Sequence, residues 1–187
     1  SWTVRVLSPR GVSDFSTFQV PFNPRGEEVF VNRVEVRDEA GNTVSKGAVS
    51  DFYVIDASTS EMATGDKLVN IPVAALKPGC EIEVTVTKRD AGRPSRPRYV
   101  EWIFSRDTPV LESILYLTGD VDEIRHETSA AAAPARMPEG LLWRVERPPV
   151  HRRRPQQPAG QLFLPTAWIS DREATWEAEA REYLRSI

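Results

Sequence analysis

A chain of 187 residues that is 40% hydrophobic buries roughly 70% of the surface its unfolded form exposes, which suffices for one substantial core. Its 24 basic and 27 acidic residues leave a formal charge of -3, so no global field draws it to nucleic acid or to an anionic membrane. No apolar run reaches the ~20 residues of a membrane span, and the start, SWTVRVL, has neither the basic flank nor the apolar stretch of a signal peptide.

The chain begins at Ser1 rather than Met, and the expectation is a processed or excised chain. Its single cysteine, Cys80, excludes an internal disulfide and leaves the redox compartment open.

The first two thirds predict about eight strands. Trp2 to Leu7, Phe15 to Val20, Glu28 to Arg37, Asp51 to Asp56, Lys67 to Pro72, Cys80 to Arg89, Tyr99 to Ser105 and Val110 to Thr118 are rich in Val, Ile, Phe, Tyr and Thr, several with period-2 alternation. Turn chemistry separates them: Pro9 and Gly11, Pro24 and Gly26, Asp38 to Asn42, Gly65-Asp66, Pro78-Gly79, and Gly92 with Pro94 and Pro97. No long amphipathic helix interrupts the series, so the predicted fold is a mainly antiparallel β-sandwich, immunoglobulin-like or related, occupying residues 1–168.

After the alanine run that ends at Ala133 the chain holds seven of its 15 prolines, from Pro134 to Pro165. Residues 129–165 are therefore expected to wrap the sandwich as extended, poorly laddered segments. Leu141 to Glu146 and Leu162 to Leu164 are the expected strands there, with a loose loop around 129–139 or 148–160. Ser170 followed by Glu173 fits a capping box, and the breaker-free stretch beyond predicts a C-terminal helix from about Asp171 to Arg185, in a terminal region 169–187 that could open a further domain.

These phrases carry a family likeness. Glu28-Val29-Phe30-Val31-Asn32-Arg33-Val34-Glu35-Val36 with the turn Asp38-Glu39-Ala40-Gly41-Asn42, then Phe52-Tyr53-Val54-Ile55-Asp56, then Leu76-Lys77-Pro78-Gly79 leading into Glu81-Ile82-Glu83-Val84, resembles the domain of unknown function that precedes the catalytic core in bacterial transglutaminase-like proteins. Phe163-Leu164-Pro165-Thr166-Ala167-Trp168-Ile169-Ser170, followed by Trp176 and Tyr183, is similar to the family's later signature. The likeness runs from about residue 3 to 187. It implies an accessory β-sandwich of a larger, exported bacterial protein, periplasmic or secreted, whose papain-like Cys-His-Asp core begins after the helix near Trp176. The family usually carries Asp after the Pro-Gly turn, where this chain has Cys80, and it does not place its nucleophile there.

The residues weigh the same way. On a strand, Cys80 shares a face with Ile82, Val84 and Val86, while Glu81, Glu83, Thr85 and Thr87 point outward. A catalytic thiol needs a cation or a helix N-terminus to ionise it, whereas one buried among aliphatic side chains stays protonated. His126 sits in DEIRHETS and His151 in PPVHRRRP, contexts that fix no imidazole tautomer as a triad requires. Two distant histidines and one cysteine match no zinc spacing. No catalytic, metal or cofactor-binding residue is assigned, and no cofactor is expected.

The carboxylate clusters Glu27-Glu28, Glu81-Glu83 and Asp120-Asp122-Glu123 read as solvated surface. The last lacks the glycine and the twelfth-position glutamate of an EF-hand loop. The run His151 to Pro155 reads as a solvated arginine set without the broad basic face of a nucleic-acid site. Among the tryptophans, Trp102 shares a core-like face with Val100 and Phe104, while Trp168, Trp176 and Tyr183 are the expected interdomain surface toward a downstream transglutaminase-like domain.

Three functions remain open. The first is the non-catalytic accessory domain, packing on or orienting a downstream core and helping to present a peptide or cell-envelope substrate. The second is an independent peptide- or glycan-binding module using an aromatic groove or an open sheet edge. The third is a small hydrolase using Cys80, which requires that thiol to be accessible and beside a histidine.

Overall fold

The computed structural model describes residues 1–59, 62–90, 99–129, 132–151, 163–172, 175 and 181, without the side chains of 58–59 and 62–64. The chain is mainly β and divides into two compact units, Ser1–Arg93 and Pro94–Ile187. The division falls in the Gly- and Pro-rich stretch at 91–98, where the sequence expectation carried a single sandwich on to residue 168.

In the first unit, β1 (Trp2–Arg5), β7 (Glu81–Asp90), β3 (Glu27–Arg37) and β4 (Thr43–Lys46) form one antiparallel sheet, in the order β1-β7-β3-β4. A second sheet has the order β2-β6-β5, from β2 (Thr17–Phe22), β5 (Tyr53–Thr59) and β6 (Met62–Pro72). Alternation aims Val34, Val36, Ile82 and Val84 from one sheet, and Val20, Val69 and Ile71 from the other, into one core that also holds Val6, Val73 and Cys80. Trp2 of β1 lies 6.3 Å from Phe18 of β2, ring to ring.

β3 carries a bulge between Val31 and Arg33. Strict alternation would turn Val34 and Val36 to the opposite face from Val29 and Val31. The extra residue restores phase, so all four valines pack on the same core.

Two expectations change here. Pro9 and Gly11 do not form a plain turn but lie in a short helix, α1 (Pro9–Asp14), because the Ser8 hydroxyl accepts the Gly11 N–H at 3.2 Å and Pro9 supplies a pre-set φ in the first helical turn. Phe15 and Ser16 accordingly precede β2 rather than belonging to it. The strand β4 was also not foreseen.

The second unit has two antiparallel sheets. One has the order β10-β13-β8, from β8 (Tyr99–Ile103), β10 (Ile124–Thr128) and β13 (Thr166–Asp171), and the other β11-β12-β9, from β9 (Glu112–Thr118), β11 (Ala135–Met137) and β12 (Gly140–Glu146). Trp143, Leu141 and Val145 of β12 meet Ala167 and Ile169 of β13 and Phe104 in a second core. Trp143 is completely buried.

The proline-dense third is better laddered than expected. Pro138 and Glu139 turn a hairpin between β11 and β12, and β12 is the central strand of its sheet. The strand expected at Leu162 to Leu164 is absent from its described residues, because Phe163 and Leu164 form a turn. Pro165 has no N–H to give a ladder, and the strand starts after it. Ser170 and Asp171 end β13, so no helix starts at Asp171. The rest of the expected helix lies outside the described residues apart from Arg172, Thr175 and Arg181, as do Arg152 to Pro155 and most of 148–160.

Candidate functional site

The turn Leu76 to Gly79 is fastened to the end of β1: the Gly79 N–H donates to the Val6 carbonyl at 2.7 Å, and the Val6 N–H donates to the Cys80 carbonyl at 2.9 Å. Gly79 has φ of +97°, a conformation that a side chain strains. Cys80 is a free thiol, 6% exposed, among the core valines and isoleucines. Both histidines belong to the second unit. The His126 ring meets Trp143 edge-on at 5.6 Å, and His151 lies 6.0 Å from the Phe163 ring while its N–H donates to the Arg106 carbonyl at 2.7 Å. The two are thus engaged with separate aromatic neighbours.

The carboxylates Glu81 and Glu83 face outward, as alternation required. Glu83 belongs to a charge array on the outer face of β3 and β7. Arg33 contacts Glu35 at 2.6 Å and Glu83 at 3.1 Å, and Arg37 contacts each of the same two carboxylates at 3.3 Å. Glu35 and Glu83 are direct cross-strand partners, so two like charges sit opposite each other with a guanidinium on either side. The Thr43 hydroxyl of β4 donates to Glu35 Oε1. That bond, with the Arg33 hydrogen bond, holds the Glu35 carboxyl at about 2, well below the usual carboxylate range. The same pairing pushes the Arg33 guanidinium up. Such a carboxylate is a fixed anion near neutral pH and a poor proton acceptor.

Sequence reasoning passed over Glu35, although a signal was there: Arg33-Val34-Glu35-Val36-Arg37 alternates charge and valine, which puts three charges on one face of a strand. The other clusters are also paired. Glu27 meets Lys88 at 2.9 Å, Asp122 meets Arg136 at 2.9 Å, and Arg5 meets Glu81 at 3.4 Å. Among the described residues no three His, Cys, Asp or Glu side chains gather as a metal site would require.

Trp168 lies on the central strand β13, half-buried, its Nε1 donating to Glu101 Oε1 of β8 at 3.1 Å. Trp176 and Tyr183, the other two residues of the expected interdomain surface, lie outside the described residues. Trp102 packs on the second core with the Arg106 guanidinium 5.6 Å from its ring.

Open clefts lie among the described residues of the first unit. One, of about 430 Å³, lies where β4 ends, between Val31 to Glu35 and Lys46, Gly47, Val49 and Phe52. Another, of about 770 Å³, lies between the Asp38 to Gly41 turn and the Gly79 turn, with Arg5, Leu7 and Glu81. The Asp38 carboxylate closes its turn by accepting the Asn42 backbone N–H at 2.8 Å, which draws its pKa below the ordinary value.

Fold and surface together define a mainly β, antiparallel sandwich protein whose lone thiol is a core residue and whose Glu35 and Glu83 carboxylates are paired with arginines. Residues 2–136 match the family model described as a domain of unknown function with solved structure, DUF3857, and the chain belongs to that family. Its fold is similar to a crystal structure from Parabacteroides distasonis described as a "putative protease", with a TM-score of 0.73 at 14% identity. That likeness covers 90% of this chain but 35% of the other, so this chain spans about a third of the protein it resembles. No curated protein sequence matches this chain. No helix among the described residues is long and apolar enough to cross a membrane.

Proposed function

We propose that this chain is a non-catalytic accessory module of a larger transglutaminase-like or cysteine-protease-like bacterial protein. In this reading it packs on or orients the catalytic core and works outside the cytoplasm. The observation that carries it is the one-sided coverage: nine tenths of this chain aligns with about a third of a longer chain described as a protease. The buried Cys80 supports it, since a nucleophile must be reached by substrate. Trp168, Trp176 and Tyr183 would form the surface toward the core, and the proposed partner is that transglutaminase-like domain in the same polypeptide. The test is to assay the 187-residue chain and the full natural polypeptide for peptide hydrolysis and for amine incorporation into glutamine substrates. Activity confined to the full polypeptide, and indifferent to Cys80→Ser, is the expected result. Thiol-dependent activity of the short chain that Cys80→Ser abolishes would refute it.

A further inference from the structure

The edge of β3 opposite β7 is only partly covered. β4 pairs with β3 at Glu35 to Arg37, and the Gly47 N–H adds one bond to the Val34 carbonyl at 2.9 Å. There the chain leaves the sheet in a 3-10 turn, Val49–Asp51. No described residue pairs with the same edge along Val29 to Arg33. In an antiparallel ladder alternate residues direct their N–H and C=O groups to opposite sides, so this stretch presents backbone donors and acceptors with no strand of the described residues beside them. The cleft of about 430 Å³ at the end of β4 opens onto this edge.

Its walls specify the occupant further. Arg33 and Arg37 are paired with Glu35 and Glu83, and Lys46, exposed on the cleft wall and the cross-strand neighbour of Glu35, makes no ion pair among the described residues, so the set carries one positive charge in excess. Val49, 80% exposed, and Phe52 supply an apolar wall beside it.

We propose that this edge takes an extended peptide from another protein, laid beside Val29 to Arg33 in the lane that β4 leaves at Gly47. An acidic side chain of the peptide meets Lys46, and an apolar one rests on Val49 and Phe52. The backbone edge supplies affinity, and the Lys46 wall supplies selectivity for acidic sequences. The inference stands whether or not the chain serves a catalytic core.

The probe is a short blocked peptide of alternating valine and glutamate, titrated into the isotope-labelled 187-residue chain and followed by amide chemical shifts. The amides of Val29 to Arg33 and of Gly47 to Phe52 should move. Methylating alternate peptide nitrogens removes the edge-facing N–H donors and should weaken binding about tenfold or more. Lys46→Gln, which removes the charge without setting a carboxylate opposite Glu35, should weaken binding of the valine and glutamate peptide and leave that of a valine and glutamine peptide unchanged. Absence of binding, equal binding of the methylated peptide, shifts confined to other surfaces, or shifts that depend on protein concentration alone would each overturn the proposal, the last by showing a second copy at this edge.

Discussion

The Thr43 hydroxyl donates a hydrogen bond to the Glu35 carboxylate across the β3–β4 pair, which ties a four-residue edge strand to the charge array of its neighbour. Glu35 is itself buried, so its charge is held by this hydroxyl and by Arg33 and Arg37 rather than by water.

A pH dependence follows from that contact. The Glu35 carboxyl titrates at about 2 in the folded chain against an ordinary value of 4.5, so its pKa is depressed by folding. Its contribution to stability is fully present above about pH 4.5 and is lost as the pH falls toward 2. Urea unfolding of the natural chain and of Glu35→Gln, followed between pH 7 and 2, should show a stability gap that is constant above pH 5 and narrows below it. A gap independent of pH would contradict the assignment, and Thr43→Val should move the narrowing to higher pH.

Cys80 should behave as a core side chain. Iodoacetamide should modify it only on unfolding, and Cys80→Ala should cost about 1–2 kcal/mol by denaturant titration, through lost packing. Rapid modification of the native chain would show that the thiol is reachable and would revive the hydrolase reading.

Two glycines carry distinct constraints. At Gly140 an added Cβ would lie 1.9 Å from the Leu117 carbonyl oxygen, a backbone atom of the paired strand, so Gly140→Ala must force β12 away from β9. At Gly79 the nearest atoms belong to the movable Glu39 side chain, and the cost is chiefly that of φ +97° for a non-glycine residue, about 1–2 kcal/mol. Thermal unfolding should therefore show Gly140→Ala as the more destabilised variant. The reverse order would mean that the β9–β12 pair relaxes readily.

Trp143 fills the second core between β12 and β13. Trp143→Ala should cost about 3–5 kcal/mol and remove the edge-on partner of His126, a loss visible as a shift of the His126 ring protons. A loss below 1 kcal/mol would show that the core is not organised around this indole.

The strands were legible because alternation is local: Glu28 to Arg37 and Cys80 to Arg89 were read to within a residue or two of β3 and β7. So was the side to which Cys80 turns. What failed was decided elsewhere. Ser170 and Glu173 fit a capping box, yet Ser170 and Asp171 pair with Arg125 and Ile124 of β10, and that long-range pairing overrides the expected start of the helix, while Arg181 within its expected span is helical. The signal for α1, a Ser-Pro start, was present and overlooked because the helix is only six residues long. The array around Glu35 was half legible: the charges share a face by period, but Thr43 joins only once β4 has folded onto β3.

The most direct test of the accessory reading is the activity of the full natural polypeptide with Cys80 replaced by Ser, measured as thiol-dependent hydrolysis or amine incorporation. The account predicts undiminished turnover in that variant, with none from the 187-residue chain alone. Loss of turnover in a Cys80→Ser protein that remains folded would place the chemistry in this chain and contradict the account.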